Sequence, residues 1–219
     1  NGNLVQGATV TPAADKADNV TIAAAGTTDA NGQTTVTLTS TTTAAADITV
    51  SAQVGTTASV NADKKVSFTA DSSKAMVSSV TLEGTDVSKV ADGKNTFIYN
   101  VLVKDTNGNP VQGATVTPAA DKENVTVAAA GTTDANGQTT VTLTGSTIAV
   151  ADITVSAQVG STASVKADKK VSFIANAHIT VVSTSTRQLI PADGKTETPL
   201  KITVLDTNHH PVKDYGVVL

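Results

Sequence analysis

The sequence predicts an all-β protein composed of tandem sandwich domains, and two observations lead to this fold class. The 219-residue chain contains 39 Thr and 30 Val, nearly a third of all residues. β-Branched side chains fit a pleated sheet and lose rotamer freedom in a helix. The chain also repeats itself with a period of about 105 residues, which is the size of a domain rather than of a solenoid unit.

The repetition divides the chain into one complete copy and two partial copies. Residues 1–16 match residues 107–122, and residues 18–70 match residues 123–175, with 59 of 69 aligned positions identical. We therefore expect the C-terminal part of a repeat at 1–70, a complete repeat at 71–175 and the N-terminal part of a further repeat at 176–219. Because the only Met is Met76, we expect an excerpt of a longer protein.

The first half of the complete repeat contains two predicted strands. The first covers residues 76–83, and a turn follows at residues 91–94, where Asp and Gly favour a reversal of the chain. In the next strand, one face of a period-2 pattern carries the apolar side chains of Phe97, Tyr99, Val101 and Val103. We expect that face to be buried.

The second half of the repeat continues with short strands and turns. A dense turn signal at residues 105–110 precedes a strand predicted at 111–118 and ended by Pro118. The remaining predictions are a short strand at 125–127, a turn at 134–137, strands at 140–144 and 152–157, and a last strand containing Val171 and Phe173. About seven strands per repeat, with turn signals between them, predict tandem immunoglobulin-like β-sandwich domains.

Composition and charge exclude several classes of protein. The absence of Cys excludes a disulfide scaffold and a Cys-based zinc site. The net charge of −4 gives no basic face for nucleic acid, so no nucleic-acid partner is expected. No apolar run approaches 18 residues, so we expect no membrane span in this segment.

The turn and strand motifs of the complete repeat resemble the bacterial Ig-like domain of group one. The resemblance lies in the Ala-Asp-Gly turn at residues 91–93, the Asp-Thr-Asn-Gly-Asn-Pro-Val-Gln-Gly-Ala segment at 105–114, and the segments at 133–138 and 152–157. Such repeats are typical of intimin/invasin adhesins. The resemblance implies an extracellular stalk on the bacterial cell surface, anchored in the outer membrane through regions not present here, and it carries over no catalytic or ligand residue.

Three motifs contain residue types that bind metals. The oxygen-rich residues at 105–109 and 134–137 are typical of calcium ligands, but Asn-Gly is also a strong signal for a tight turn, which we favour. His209 and His210, with Asp206 nearby, suggest zinc binding or a pH response. We favour a solvated turn, because neighbouring side chains in a turn diverge. His178 either contacts the preceding domain or, as we favour, lies on the surface or in a linker.

The remaining candidates have simpler explanations. Asn19 and Asn124 begin Asn-Val-Thr glycosylation patterns that we attribute to chance. The pairs Lys64-Lys65 and Lys169-Lys170 precede the last strand of each copy, where Lys discourages pairing between sheet edges or guards the junction. No nucleophile motif occurs, and no Lys–Asn pair is singled out for an isopeptide bond. We therefore predict no enzyme, no catalytic residues, no cofactor and no metal, and leave the binding residues unknown.

Two functions fit these observations. The first is a rigid stalk that carries an adhesive tip, with a protein partner, either a host receptor or another cell-surface protein, bound by a distal domain. The alternative is a binding module whose Ig-like repeats hold the partner directly. The partial end repeats also raise the alternative that residues 176–219 complement residues 1–70 of another copy, although an excerpt is the simpler explanation.

Overall fold

The computed structural model describes residues 2–23, 25–129, 131–178, 191–197, 202–213 and 216. These residues form β-strands joined by turns, with two short 3₁₀ helices at Ala17–Asn19 and Ser72–Lys74. The predicted all-β class is confirmed. Within the described ranges, no helix has the length and the apolar character needed to cross a membrane.

The first partial repeat contributes antiparallel strands in three small sheets. The strands are β1 (Val10–Ala14), β2 (Val20–Ala23), β3 (Thr37–Ser40), β4 (Ala45–Ile48), β5 (Val50–Val54), β6 (Val60–Asn61) and β7 (Val66–Phe68). They pair in the orders β1-β5-β6, β2-β3 and β4-β7.

The complete repeat contains the strands of a sandwich. They are β8 (Met76–Leu82), β9 (Ser88–Val90), β10 (Thr96–Lys104), β11 (Val116–Ala120), β12 (Val125–Ala129), β13 (Gln138–Gly145), β14 (Val150–Ile153), β15 (Val155–Val159), β16 (Val165–Lys166) and β17 (Val171–Ile174). One sheet has the order β12-β13-β10-β8, and the others have the orders β11-β15-β16 and β14-β17-β9, where β9 runs parallel to β17. In the last partial repeat, β18 (Ala177–His178) pairs with β19 (Leu205–Asp206).

The near-identical segments fold with the same register. Val10 pairs with Val54 between β1 and β5, and the equivalent Val116 pairs with Val159 between β11 and β15. The repeated sequence therefore dictates the same local pairing in both copies.

The chain separates into two compact units. The first comprises residues 1–78, 102–115 and 132–138, and the second comprises residues 79–101, 116–131 and 139–219. The three-segment division predicted from the repeats stays a prediction.

The core of the second unit is aromatic and aliphatic. The predicted buried face of β10 is confirmed, because Phe97, Tyr99 and Val101 are at most 2% exposed. The ring of Phe97 packs against that of Phe173 on β17, with centroids 5.2 Å apart and planes tilted by 57°. This contact joins β10 to β17 and makes the repeat a sandwich.

The first unit leaves exposed several residues whose identical counterparts are buried in the second. Within residues 2–70, a small buried cluster contains Val20, Ala45 and Ile48, with Phe68 only partly buried against them. Val66 is 40% exposed, whereas its counterpart Val171 is 1% exposed. The described part of residues 2–70 contains no equivalents of β8 and β10, so this face lacks the second layer that covers it in the complete repeat.

The strand predicted at 111–118 is wrong at both ends. Residues 111–115 form a turn, in which Gly113 has a φ of +77° and donates to the carbonyl of Thr133. The strand begins at Val116 and passes through Pro118. Proline is tolerated there because β11 is an edge strand, paired on one side only with β15.

The predicted continuous strand at 152–157 is also wrong. The chain leaves β14 after Ile153 and enters β15 at Val155, and the two strands belong to different sheets. Asp152, with a φ of +54°, lies within β14, where the pairing with β17 shifts register. The alternating pattern wrongly indicates one strand, because Ile153, Val155 and Ala157 are all buried although they lie in two different strands. Sequence reasoning also missed β9 and β16, which are too short to show a period.

Candidate inter-repeat junction

The turn that follows β10 is organised by one carboxylate. Gly108 has a φ of +87°, and its N–H donates to the carbonyl of Asp105 at 3.0 Å. The Oδ1 atom of Asp105 accepts the N–H groups of Asn107 and Asn109, each at 2.9 Å. An Asp that accepts from its own following residues stabilises such a turn.

The second oxygen of Asp105 reaches beyond the turn. Oδ2 accepts from Nδ2 of Asn109 at 2.9 Å and from the N–H of Asp71 at 3.0 Å. The residue is only 4% exposed. The Asn109 side-chain hydrogen bond, which outweighs desolvation, and the backbone donors lower the pKa of Asp105 to about 2. At neutral pH the carboxylate is therefore ionised, and both of its oxygens accept N–H donors.

Asn109 links this turn to the preceding repeat segment. Its Nδ2 donates to the carbonyl of Thr42 at 2.8 Å, and its Oδ1 accepts the N–H of Ala44 at 2.8 Å. Asn109 is 8% exposed, so these bonds form where water competes poorly. All these residues belong to the first compact unit, and we name residues 42–44, 71 and 105–109 the first junction.

The connection between the two segments is short and capped. Asp71 precedes the 3₁₀ helix Ser72–Lys74. Its Oδ1 atom accepts hydrogen bonds from the N–H of Ser73 at 3.0 Å and from the hydroxyl of Ser73 at 2.6 Å. The N–H of the same Asp71 is bound by Asp105. One residue therefore fixes the connecting helix and ties it to the turn.

A related turn occurs in the second unit. Asp206 is 2% exposed, and its Oδ1 accepts the N–H groups of Asn208 and His210, each at 2.8 Å. Its Oδ2 lies 3.3 Å from Nδ1 of His210. Burial raises the pKa of Asp206, but the donors of His210 and Asn208 outweigh it, so the pKa lies below its ordinary value.

Two further bonds tie this turn to its surroundings. Thr207 donates its N–H to the carbonyl of Asn176 at 3.2 Å, and Nδ2 of Asn208 donates to the carbonyl of Ala91 at 3.3 Å. We name residues 176 and 206–210 the second junction. His209 takes the place of Gly108 and has a φ of +65°.

The residues weighed as metal ligands take other partners. Asp134 accepts the N–H groups of Asn136 and Gln138, each at 2.8 Å, in a turn like that of Asp105. His209 is exposed, whereas His210 lies against Asp206. Across the described ranges, no group of three or more His, Cys, Asp or Glu is arranged to hold a metal ion.

The other sequence candidates lie apart from the junctions. Lys169 and Lys170 are exposed before β17, and the adjacent Asp168 accepts the N–H of Leu82 at 2.8 Å on the edge strand β8. Protection of an edge by lysines therefore stays a prediction. The backbone of His178 lies in β18, and its side chain is outside the described structure. Asn124 is exposed with a φ of +62°, whereas Asn19 is partly buried.

Among the residues that the structure describes, one buried side-chain group in the core has no hydrogen-bond partner. The hydroxyl of Tyr99 accepts and donates no hydrogen bond within the described structure. Burial, with a smaller effect from the Asp168 carboxylate, raises the pKa of Tyr99 to about 12. The hydroxyl is therefore un-ionised at any physiological pH.

Sequence reasoning missed the linking role of Asn109. The turn itself is visible as Asp-Thr-Asn-Gly-Asn, but nothing in that motif points to Thr42 and Ala44, which lie 67 and 65 residues away. The available signal was the recurrence of the turn at residues 105–109 and 206–210, in the complete repeat and in the last partial one.

Comparison with known proteins identifies the complete repeat. Residues 79–174 match the bacterial Ig-like domain of group 1. No curated protein sequence matches the chain. Among solved structures, FdeC, an Escherichia coli adhesin, shares 21% identity and a TM-score of 0.63, covering 97% of this chain and 67% of that one.

Two other structures show the range of similarity. InvD of Yersinia pseudotuberculosis shares 16% identity and a TM-score of 0.50, over 84% of this chain and 56% of that one. The D0–D1 domains of intimin share 29% identity and a TM-score of 0.39, over 79% of this chain and 84% of that one. FdeC and InvD support the sandwich fold. The family match lies within the complete repeat, whose sequence is that of a bacterial Ig-like domain of group 1.

Proposed function

We propose that this chain is a non-enzymatic, extracellular repeat segment of an intimin/invasin-like bacterial adhesin, which acts as a rigid stalk in cell adhesion. The observation that carries the proposal is the first junction, where a buried Asn109 joins the turn of one repeat to Thr42 and Ala44 of the preceding segment. A flexible linker has no need of such a connection.

Rigidity follows from the number and the burial of the bonds at this junction. Asn109 makes three side-chain hydrogen bonds, and Asp105 accepts four N–H groups from Asp71, Asn107 and Asn109. Breaking one bond leaves a buried polar group without a partner, which costs about 1–3 kcal/mol. Reorientation of the segments at this point is therefore opposed by several bonds together.

The near-identity of the copies also supports a spacer. A surface selected to bind one partner needs one well-defined site, whereas a stalk needs length and stiffness. The 59 identical positions among 69 lie on both faces of the strands, so they preserve the whole repeat rather than a patch.

The location and the partner belong to the same proposal. We place the segment on the bacterial surface, anchored in the outer membrane through regions outside this chain. Its protein partner, a host receptor or another cell-surface protein, is held by a distal domain. The support is the match of residues 79–174 to the bacterial Ig-like domain of group 1 and the shared fold with FdeC, which is described as an Escherichia coli adhesin.

The location is tested by protease treatment of intact cells, followed by mass spectrometry of the released peptides. Recovery of peptides from residues 71–175 is the expected result. Their absence, with the protein intact in the medium or inside the cell, would overturn the surface assignment.

The stalk is tested by small-angle scattering and by binding of the purified chain. An elongated particle that binds neither host cells nor bacterial surface proteins is the expected result. A compact particle would exclude a rigid stalk. Specific, saturable binding by the purified chain would instead support the alternative, a module whose Ig-like repeats hold the partner directly.

A further inference from the structure

The two junctions use the same aspartate but different partner side chains. Asp105 and Asp206 are equivalent at an offset of 101, and the residue four positions later is Asn109 in the first turn and His210 in the second. We propose that Asn109 makes the first junction a fixed connection, and that His210 makes the second a hinge. The inference depends on the proposed stalk, since it assigns stiffness along that stalk.

The chemistry of the two side chains sets how many bonds each can make. The amide of Asn109 uses two donors, to Asp105 and Thr42, and one acceptor, for Ala44. An imidazole has only two ring nitrogens, and Nδ1 of His210 already lies 3.3 Å from Asp206.

The remaining nitrogen of His210, Nε2, can replace only one of the two hydrogen bonds that join Asn109 to Thr42 and Ala44. The counterparts of Thr42 and Ala44 in the complete repeat are Thr147 and Ala149. The carbonyl of Thr147 needs a donor and the N–H of Ala149 needs an acceptor. Nε2 of His210 is a donor when protonated and an acceptor when not, so it cannot serve both groups at once. The histidine turn therefore reproduces at most one of the two links.

Burial points in the same direction. Asp206 is as buried as Asp105, at 2% and 4% exposed, but His210 is only partly buried whereas Asn109 is buried. Water competes for hydrogen bonds at an open site, so each bond there contributes less to holding the junction.

The other links of the second junction are also longer. At the first junction, the N–H of Asp71 lies 3.0 Å from the buried carboxylate of Asp105. At the second junction, the bonds from Thr207 and Asn208, both exposed residues, measure 3.2 and 3.3 Å. Bonds between neutral groups are weaker than bonds to a carboxylate.

The test is amide hydrogen exchange, measured by NMR in the full chain at the N–H groups of Ala44 and Ala149. In the unaltered chain, Ala44 is expected to exchange more slowly than Ala149, relative to their intrinsic rates. Asn109→His is expected to accelerate exchange at Ala44 by about tenfold, the loss expected from one or two hydrogen bonds. His210→Asn is expected to slow exchange at Ala149 by a similar factor.

Two amides serve as folding controls. The N–H of Ala114 is bound to Oγ1 of Thr133, and the N–H of Asp121 is bound to the carbonyl of Thr154. Their exchange is expected to be unchanged in both variants. If the controls also accelerate, Asn109→Ser takes the place of Asn109→His. Serine places no second charge beside Asp105, and its single hydroxyl cannot replace the whole amide, so acceleration at Ala44 is again expected.

Equal protection of Ala44 and Ala149 in the unaltered chain would overturn the inference. So would His210→Asn with no effect on Ala149, or variants at position 109 with no effect on Ala44. These results concern stiffness at single junctions only. A failure of the proposed function is detected separately, by scattering and binding of the same chain.

Discussion

Gly145 lies at the end of β13 under the ring of Phe173, and replacing it tests the packing of the sandwich core. A Cβ atom at Gly145 would lie 2.6 Å from Cδ1 and Cγ of Phe173 and 2.8 Å from its Cδ2. The ring cannot retreat freely, because it is 1% exposed and packs against Phe97. Gly145→Ala is therefore expected to overfill the core.

The size of the effect follows from two opposing contributions. Overpacking of a close-packed core costs about 1–3 kcal/mol. Replacing Gly by Ala within a strand stabilises the folded state by about 0.5–1 kcal/mol, because the unfolded chain has less conformational entropy to lose. We expect a net loss of about 1–2 kcal/mol in the free energy of unfolding.

The assay is urea unfolding followed by tyrosine fluorescence, to which Tyr99 in the same core and Tyr215, the other tyrosine of the sequence, both contribute. The midpoint is expected to fall by about 1 M urea with an unchanged slope. Ser40→Ala is the matched control, because Ser40 is the exposed counterpart of Gly145, and we expect a change within about 0.5 kcal/mol. The double variant Gly145→Ala with Phe173→Leu should lose less stability than the sum of the losses of the two single variants, because the two sites are coupled. A Gly145→Ala chain as stable as the unaltered one would refute the packing argument.

Three further predictions follow from the structure. Gly137→Ala is expected to destabilise the chain by about 2–4 kcal/mol in urea unfolding, since φ is +71° and the new Cβ would lie 2.4 Å from the carbonyl oxygen of Val103; Gly32→Ala, with its nearest contact at 3.4 Å, should cost less, and equal losses would contradict this. Tyr99→Phe is expected to leave the melting temperature unchanged or raise it slightly, because the hydroxyl has no partner within the described structure; a marked fall would reveal a hidden partner. Because the pKa of Asp105 is lowered from 3.8 to about 2, its contribution is present above about pH 4 and lost as pH falls towards 2, so Asp105→Asn should reduce the acid dependence of the urea midpoint, and an unaltered pH profile would refute the assignment.

The fold class could be predicted because the signals behind it are local. Alternation along Phe97, Tyr99 and Val101 reports one buried face directly, and Asn-Gly pairs report turns by their tolerance of positive φ. The predictions failed where a local pattern had two meanings. Proline usually ends a strand, but Pro118 lies in an edge strand.

The break between β14 and β15 shows the same limit. The residues on either side of Thr154 alternate as a single strand does, yet the chain moves from one sheet to another at this point. Asp152 N–H donates to Oγ of Ser172, 20 residues away, at 3.1 Å. A contact at that distance in the chain has no signature in the surrounding sequence.

The junction was only half predictable. The turn at residues 105–109 follows from its Asp, Asn and Gly residues, because each bond of the turn joins residues a few positions apart. The bonds from Asn109 to Thr42 and Ala44 join residues more than 60 positions apart. Whether an asparagine amide faces water or a neighbouring repeat depends on how the chain folds back.

The sequence by itself determined the all-β class, the repeat period, the turns and the register shared by β1 with β5 and by β11 with β15, since these depend on side-chain shape and on neighbours along a strand. Tertiary structure alone decided which of two equivalent residues in the repeated segments is buried. Val66 and Val171 occupy equivalent positions in near-identical sequence, yet one is 40% exposed and the other 1%. The difference arises because burial depends on whether a second sheet lies over the residue, and that sheet is built from other parts of the chain.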